Sequence, residues 1–233
     1  MSRSYISLFG SGGDVLPAAA GGFLPSDISN LEAWYRYNTG ITITGAGVSQ
    51  WDDQTVNARH VTQGTDANRP TNSGGTITFD GSNDRLASAT LSVANPYTVV
   101  ARILQDTTWT LNDTCICTRS DSNHTFYQSD SSPELRIWNG AAESTVNPDL
   151  AMDTWGTIII EYTNTVGCSL QVNDGTPVTS GNTTGTFTQV IMGSSGTPDA
   201  WGRFKIRDVA IYSKLLSTQE KSDLRTYMSG LGA

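Results

Sequence analysis

Short runs in which apolar and polar residues alternate recur along the chain from about residue 27. Clusters of turn-forming residues separate them. Alternation with a period of two is typical of β-strands that bury one face. The clearest runs are Leu31–Tyr35, Gly47–Trp51, Thr76–Phe79, Tyr97–Leu104, Thr114–Thr118, Thr125–Gln128, Glu134–Trp138, Trp155–Tyr162, Cys168–Val172, Gln189–Met192 and Arg203–Tyr212. Many short strands of this kind predict an all-β sandwich or barrel.

The segments between these runs carry turn signals. Asn139–Gly140, Asn173–Gly175, Asp80–Asp84 and Gly193–Gly196 combine Asn or Asp with Gly, or are rich in Gly and Ser. Asn-Gly and Asp-Gly pairs favour tight hairpins because both residues tolerate a positive φ. We therefore expect mostly antiparallel connections.

Only the end of the chain has a helical pattern. Ser217–Glu220 has the sequence of a capping box, and apolar residues then recur at spacings of three and four. Gly230 is expected to end the helix. The sequence therefore predicts one short C-terminal helix behind the β-domain.

The first 26 residues differ in composition from the rest. Between residues 10 and 25 the only charged side chain is Asp14, and Gly, Ala and Pro dominate. Such a segment cannot build its own core, so it is either a disordered tail or an arm laid on a neighbouring molecule. Apolar residues that favour the arm are Tyr5, Ile6, Leu8, Phe9, Leu16, Phe23 and Leu24. We predict an extended N-terminal arm over residues 1–26 and one sandwich domain over residues 27–233.

Composition and charge narrow the classes of partner. The chain has 233 residues, enough for one large sandwich, and 14 basic against 22 acidic side chains give a net charge of −8. No run of Lys or Arg could follow a phosphate backbone, so nucleic acid is not an expected partner. Met1–Phe9 lacks the apolar stretch of a signal peptide, and no later stretch approaches the ~20 residues of a membrane helix. We expect synthesis in a cytoplasm, with no signal peptide and no membrane span.

The three cysteines do not have the spacing of a metal site. Cys115 and Cys117 point to the same side of a predicted strand, and Cys168 lies in another run. Because the cysteines are odd in number, reduced, partly buried thiols are favoured over a disulfide framework. A bridge between Cys117 and Cys168 is the alternative.

Several segments together resemble the concanavalin A-like lectin/glucanase superfamily, and in particular the laminin-G-like domains of phage and bacterial surface proteins. The segments that carry the resemblance are Ile28–Tyr35, Val48–Asp53, Arg59–Gln63, Arg69–Pro70, Ile77–Leu86, Ile191–Ser194, Trp201–Tyr212 and Leu215–Glu220. The resemblance implies an antiparallel jelly-roll β-sandwich over roughly residues 28–230. The superfamily includes sugar binders, adhesion modules and glycan-cleaving enzymes, so the fold alone does not choose among these functions.

The carboxylate pattern argues against a glycosidase. Glycoside hydrolysis needs two carboxylates that flank the scissile bond, and the glucanase branch of the superfamily places them close together on one strand. The glutamates of this chain are isolated from one another at positions Glu32, Glu134, Glu143, Glu161 and Glu220. We therefore predict no catalytic residues and no enzymatic activity. A lyase that uses His124 with Tyr127 and an Arg is the minority alternative.

Two kinds of binding site have candidate residues. Family members often hold calcium with loop oxygens, and Asp80, Asn83 and Asp84 form an oxygen-rich turn that offers such ligands. The alternative, which we favour, is that this turn only sets the backbone geometry, with no cofactor bound.

Aromatic residues on a concave β face can stack on sugar rings. The candidates are Trp109, Tyr127 and Trp138, with core packing as the alternative for Trp138. Four further tryptophans occupy positions that the resemblance assigns to packing, and these are Trp34, Trp51, Trp155 and Trp201.

Three functions remain. The first is a virion structural protein, a phage capsid decoration or tail-associated module, which displays a lectin-like domain at the virion surface and binds capsid or tail proteins through its arm. The second is a host-adhesion module that binds cell-surface glycans, and the third is a glycan-cleaving enzyme. Apolar arms are usually covered by a neighbour, so the first function also predicts a homo-oligomer, with a trimer as the natural closed form.

Overall fold

The computed structural model of the protein describes residues 22–106, 114–119, 121, 125–128, 135–138, 143–145, 150–163, 167–180, 186–197 and 200–232. Within these ranges it describes the backbone alone for Thr114, Thr125, Tyr127, Gln128, residues 143–145 and Ser180. The described residues form two antiparallel sheets and one C-terminal α-helix.

The strands follow one another along the chain with short connections. They are β1 (Leu31–Tyr35), β2 (Ile41–Thr44), β3 (Gly47–Trp51), β4 (Val61–Thr62), β5 (Thr71–Ser73), β6 (Thr76–Asp80), β7 (Leu86–Ser88), β8 (Tyr97–Gln105), β9 (Thr114–Cys117), β10 (Thr125–Gln128), β11 (Leu135–Trp138), β12 (Glu143–Thr145), β13 (Trp155–Tyr162), β14 (Cys168–Val172), β15 (Val178–Ser180), β16 (Ile191–Met192) and β17 (Arg203–Tyr212). The helix α1 spans Thr218–Ser229, and two 3-10 turns cover Pro25–Asp27 and Asp66–Asn68.

The two sheets have different strand orders. The first sheet runs β15-β14-β13-β8-β17-β6-β5, and β1 adds to it by pairing with the second half of β17. The second sheet runs β12-β11-β10-β9-β16-β7-β4-β3-β2. Every pairing between these strands is antiparallel, which confirms the predicted all-β sandwich and its antiparallel connections.

The main core lies between the sheets and is rich in aromatic side chains. The rings of Phe79 and Phe204 stack with their centroids 4.7 Å apart, and Tyr97 stacks on Tyr162 at the same distance. From the second sheet, Trp51 contributes a fully buried indole. Burial of such rings contributes a large share of the apolar surface that stabilises a sandwich.

A second, smaller core lies on the outer face of the first sheet. Leu224, Tyr227 and Met228 of α1 pack there on a patch that includes Val100 and Ile159. The predicted capping box is present, since Ser217 Oγ accepts from the Glu220 amide at 3.2 Å and Glu220 Oε2 accepts from the Ser217 amide at 2.8 Å. The predicted C-terminal helix is thus confirmed, with Gly230 directly after it.

The turn segments did not all form the predicted hairpins. Asn173–Gly175 lies between the paired strands β14 and β15, as expected of a hairpin. The turn Asp80–Asp84 instead carries the chain from β6 in the first sheet to β7 in the second, so the hairpin prediction is wrong there. Asn139–Gly140 lies outside the described residues.

All three cysteines are buried free thiols, as the favoured interpretation predicted. Among the described residues, no helix has the length and apolar character needed to cross a bilayer.

Candidate functional site

Trp138 stands out on the second sheet because its side chain is exposed to solvent. It lies at the end of β11, whose Leu135 and Ile137 are fully buried in the core between the sheets. Since side chains alternate along a strand, Trp138 and the half-buried Arg136 belong to the outer face. The indole is 37% exposed, which contradicts the alternative that it packs in the core.

The other two predicted sugar-binding residues are described in part or not at all. Tyr127 belongs to β10, where its backbone pairs with Arg136, and Thr125 pairs with Trp138. The side chain of Tyr127 and the whole of Trp109 lie outside the described residues. The backbone of Tyr127 therefore lies on the strand next to the one that carries Trp138. Sugar binding by Trp109 stays a prediction.

An exposed indole and an arginine on the same face of a strand both carry groups that can bind a ligand. The face of the indole provides a flat apolar surface on which the C–H groups of a sugar can pack, and its N–H is a hydrogen-bond donor. A guanidinium donates several hydrogen bonds in a fixed plane, which suits hydroxyl and carboxylate oxygens.

The predicted calcium ligands form a turn whose carboxylates accept backbone amide protons. Asp84 Oδ2 accepts from the Asp80 amide at 3.0 Å, and Asp80 Oδ1 accepts from the amides of Ser82 at 2.8 Å and Asn83 at 3.3 Å. Burial and the neighbouring Asp80 charge raise the pKa of Asp84 to about 6. These bonds are those of a turn that fixes the backbone, and a metal there stays a hypothesis. No group of three or more His, Cys, Asp or Glu side chains that could hold a metal occurs among the described residues.

The predicted arm is described only at its C-terminal end. Tyr5, Ile6, Leu8, Phe9 and Leu16 lie outside the described residues. Phe23 and Leu24 are half-buried and pack against the second core of the same chain. Tyr212 also donates a hydrogen bond from its hydroxyl to the carbonyl of Pro25 at 3.0 Å. Phe23, Leu24 and Pro25 therefore pack with the sandwich.

The glutamates with described side chains are engaged in ion pairs. Glu32, Glu161 and Glu220 each have a Lys or Arg nitrogen within 2.7 Å. Glu134 and the side chain of Glu143 lie outside the described residues.

His60 has a structural role in a loop. Its Nδ1 accepts a hydrogen bond from the backbone amide of Asp53 at 3.2 Å, and the Asp53 carboxylate binds amides of the same loop. His124, which the lyase hypothesis needs, lies outside the described residues.

The outer face of the first sheet holds a carboxylate that sequence reasoning missed. Asp208 of β17 is fully buried and accepts from Trp34 Nε1 at 2.9 Å, from the Tyr37 amide at 3.0 Å and from the Tyr227 hydroxyl at 3.0 Å. Burial raises the pKa of Asp208 to about 7, against the opposing effect of these three donors and of Arg36. Its partners are parts of the fold, so its role is structural.

The part of this face that α1 leaves uncovered is polar and basic. It is lined by side chains from three strands and the helix, namely Arg102 of β8, Trp155 of β13, Lys205 and Arg207 of β17, and Arg225 of α1. Alternation in the first half of β17, where Arg203, Lys205 and Arg207 are half-buried and Phe204 and Ile206 are buried, was the available sequence signal.

Comparison with known proteins gives the fold and no family. No family model matches the chain, and no curated protein matches its sequence. Solved structures do match. A sialidase of Trypanosoma rangeli in complex with sialic acid aligns with a TM-score of 0.63 and 19% identity, over 88% of this chain and 34% of the sialidase.

Two further structural neighbours have different functions. A GH54 a-l-arabinofuranosidase mutant aligns with a TM-score of 0.60 and 10% identity, over 79% of this chain and 51% of the enzyme. The receptor-binding domain of botulinum neurotoxin type G aligns with a TM-score of 0.61 and 13% identity, over 86% of this chain and 52% of that domain. The chain thus spans about a third to a half of these proteins. The same β-sandwich accordingly occurs in glycosidases and in a receptor-binding domain.

Proposed function

We propose that this chain is a non-enzymatic binding module of the concanavalin A-like, laminin-G-like type, displayed at the surface of a virion. Its sandwich domain presents a lectin-like face outward. The N-terminal arm attaches the domain to capsid or tail proteins, as a capsid decoration or a tail-associated protein.

The observation that carries the binding role is the exposure of Trp138 on the outer face of the second sheet. The indole is 37% exposed at the end of its strand, with Arg136 on the same face, and its exposed ring is available to a ligand. Stacking on a sugar ring would cover it. The alternative function, a host-adhesion module that binds cell-surface glycans without belonging to a particle, uses the same surface.

A non-enzymatic role is supported by what the carboxylates do. Glu32, Glu161 and Glu220 bind Lys or Arg side chains, and Asp208 binds three donors inside the second core. A general acid needs a carboxyl that reaches the substrate. Glycan cleavage is therefore the least favoured of the three functions.

Glycan binding by the Trp138→Ala variant tests the binding role. On a glycan array, we expect the full chain to bind a restricted set of glycans and the variant to lose about fivefold to thirtyfold in affinity, since stacking on an aromatic face contributes on the order of 1–2 kcal/mol. Ile43→Ala is the matched control. Ile43 is a 54% exposed apolar residue of β2, at the opposite edge of the same sheet. Equal binding by the full chain and the Trp138 variant would refute this site.

Particle association tests display on a virion. Full chain and a shortened chain that starts at residue 22 are mixed with particles that lack the protein, and the bound fraction is measured by sedimentation. We expect the full chain alone to bind. If both bind glycans and neither binds particles, the protein is a free adhesion module.

A further inference from the structure

A cleft of about 220 Å³ lies between α1 and the outer face of the first sheet. Its walls are polar, with Arg102 and Thr157 contributed by β8 and β13, Asn173 by the turn after β14, and Arg225 by the helix. It lies on the opposite sheet from Trp138, so it is a separate site from the surface proposed above.

Two buried polar side-chain atoms in this cleft, Arg102 Nε and Thr157 Oγ1, have no hydrogen-bond partner. Arg102 is 8% exposed, its Nε has no hydrogen bond, and its Nη2 reaches only the Gly232 carbonyl at 3.4 Å. Thr157 is 2% exposed, and its Oγ1 also has no partner. Leaving buried donors unpaired costs free energy, so their convergence on one cleft points to a ligand that carries acceptors.

The cleft also has an excess of positive charge. Burial and the neighbouring Arg207 both lower the pKa of Arg102, and within the described part of the chain Arg102 forms no ion pair. Arg225 contacts Asp174 at 2.7 Å, but the Asp174 side chain is 91% exposed and neutralises it weakly. A cationic cleft in a chain of net charge −8 needs a specific reason, because buried charges are normally paired.

A second cleft continues the first along the same face. It has a volume of about 250 Å³ and is lined by Trp155, Lys205 and the hydroxyls of Thr76 and Thr78, among others. Trp155 precedes Thr157 by two residues on β13, so both side chains belong to one face of the sheet. The guanidinium of Arg207 stacks on the Trp155 ring at 4.1 Å and holds it in place.

We propose that these two clefts form one groove that binds an acidic saccharide. A carboxylate or sulfate group lies between Arg102 and Arg225 and accepts from Arg102 Nε and the Thr157 hydroxyl. The sugar ring extends towards Trp155, where Thr76, Thr78 and Lys205 meet its hydroxyls. Guanidinium groups suit planar and tetrahedral oxyanions because they donate hydrogen bonds in a fixed fork.

Isothermal titration calorimetry with D-glucuronate, inorganic sulfate and D-glucose tests this proposal on the full chain. We expect glucuronate to bind more tightly than sulfate, and glucose to show no measurable binding. Arg102→Met, which keeps an apolar stem of similar length, should weaken glucuronate binding about tenfold or more, because a charge-assisted hydrogen bond is lost. Thr157→Val keeps the shape of the side chain and should weaken binding by about threefold to tenfold through the lost hydroxyl.

Lys221→Gln is the matched control, because it removes one positive charge from the same helix at a residue that binds Glu161 and does not line the cleft. Lys221→Gln and Trp138→Ala should both bind glucuronate as the unchanged chain does. The proposal is overturned if glucuronate does not bind, or if folded Thr157→Val and Arg102→Met bind it unchanged. Sulfate binding as tight as glucuronate binding would overturn the assignment to a saccharide.

Discussion

Asp208 is the residue on which three elements of the fold converge. Its carboxylate belongs to β17 and binds Trp34 of β1, the backbone just after β1, and Tyr227 of α1. Sequence alone could not identify it, because strict alternation from Phe204 and Ile206 would turn position 208 towards the main core, whereas a register shift after Ile206 places Asp208 on the outer face. Only the covering helix makes the position buried. Trp138, by contrast, could be named from the sequence, since the alternation in β11 already placed it opposite Leu135 and Ile137.

The raised pKa of Asp208 predicts a pH dependence of stability. Its pKa rises from 3.8 in the unfolded chain to about 7 in the folded protein, so the folded state binds the proton more tightly between these values. Protonated Asp208 makes its full contribution to stability below pH 3.8. As pH rises from 3.8 to about 7 this contribution is lost, and the free energy of unfolding falls by on the order of 4 kcal/mol. Urea unfolding at several pH values measures this as the difference between the unchanged chain and Asp208→Asn.

Asp174→Asn is the control for this measurement, because the Asp174 side chain is 91% exposed and should give a nearly constant difference across pH. If the free energy of unfolding of the unchanged chain instead rises with pH relative to that of Asp208→Asn, the three donors and Arg36 outweigh burial and the pKa of Asp208 is not raised.

The elements differ in how well their sequences predicted them. Each clear alternating run of the sequence contains a strand. The strands that these runs did not predict are short, with two to four residues each, and are β2, β4, β5, β7, β12 and β15. Four of these are sheet edges: β2 and β12 in the second sheet, and β5 and β15 in the first. Edge strands are commonly short and polar, which limits aggregation and also weakens the sequence signal.

The burial pattern of β17 changes at the point where α1 begins to cover the sheet. Its first half alternates between buried and half-buried residues, whereas Asp208–Tyr212 is buried throughout. The change from alternation to a continuous buried run marks the boundary between the basic groove and the second core. The groove itself could not be assigned from sequence, because Arg102, Arg225 and Trp155 come from distant segments that only the sheet register brings together.

The capping box of α1 predicts opposite effects for two serines of the same segment. Ser217→Ala removes the acceptor of the Glu220 amide and should lower the free energy of unfolding by about 1 kcal/mol. Ser222→Ala lies on the exposed helix surface and should raise it by up to about 0.5 kcal/mol, because alanine has the higher helix propensity. Thermal unfolding of both variants measures the pair. A destabilised Ser222→Ala, or an unaffected Ser217→Ala, would contradict this account of how the helix begins.

At the scale of the whole molecule, the last residues of the predicted arm pack on the sandwich domain. Composition placed the boundary after residue 26, since Phe23, Leu24 and Pro25 continue the Gly- and Ala-rich stretch. In the structure Phe23 and Leu24 pack on the second core, and Pro25 is buried. Composition could not distinguish an apolar residue that meets its own domain from one that meets a partner, so the remainder of the arm stays a prediction.

Two shortened chains separate attachment from folding. Starting the chain at residue 22 keeps Phe23, Leu24 and the Pro25 carbonyl that accepts from Tyr212, so we expect an unchanged midpoint of urea unfolding. Starting at Asp27 removes them and should lower the free energy of unfolding by about 2 kcal/mol, since two half-buried apolar side chains and a hydrogen bond are lost. Equal stability of the two shortened chains would mean that residues 23–26 only rest on the sheet. If removing residues 1–21 also destabilises the domain, the arm binds its own sandwich, and attachment to a partner would have to compete with that contact.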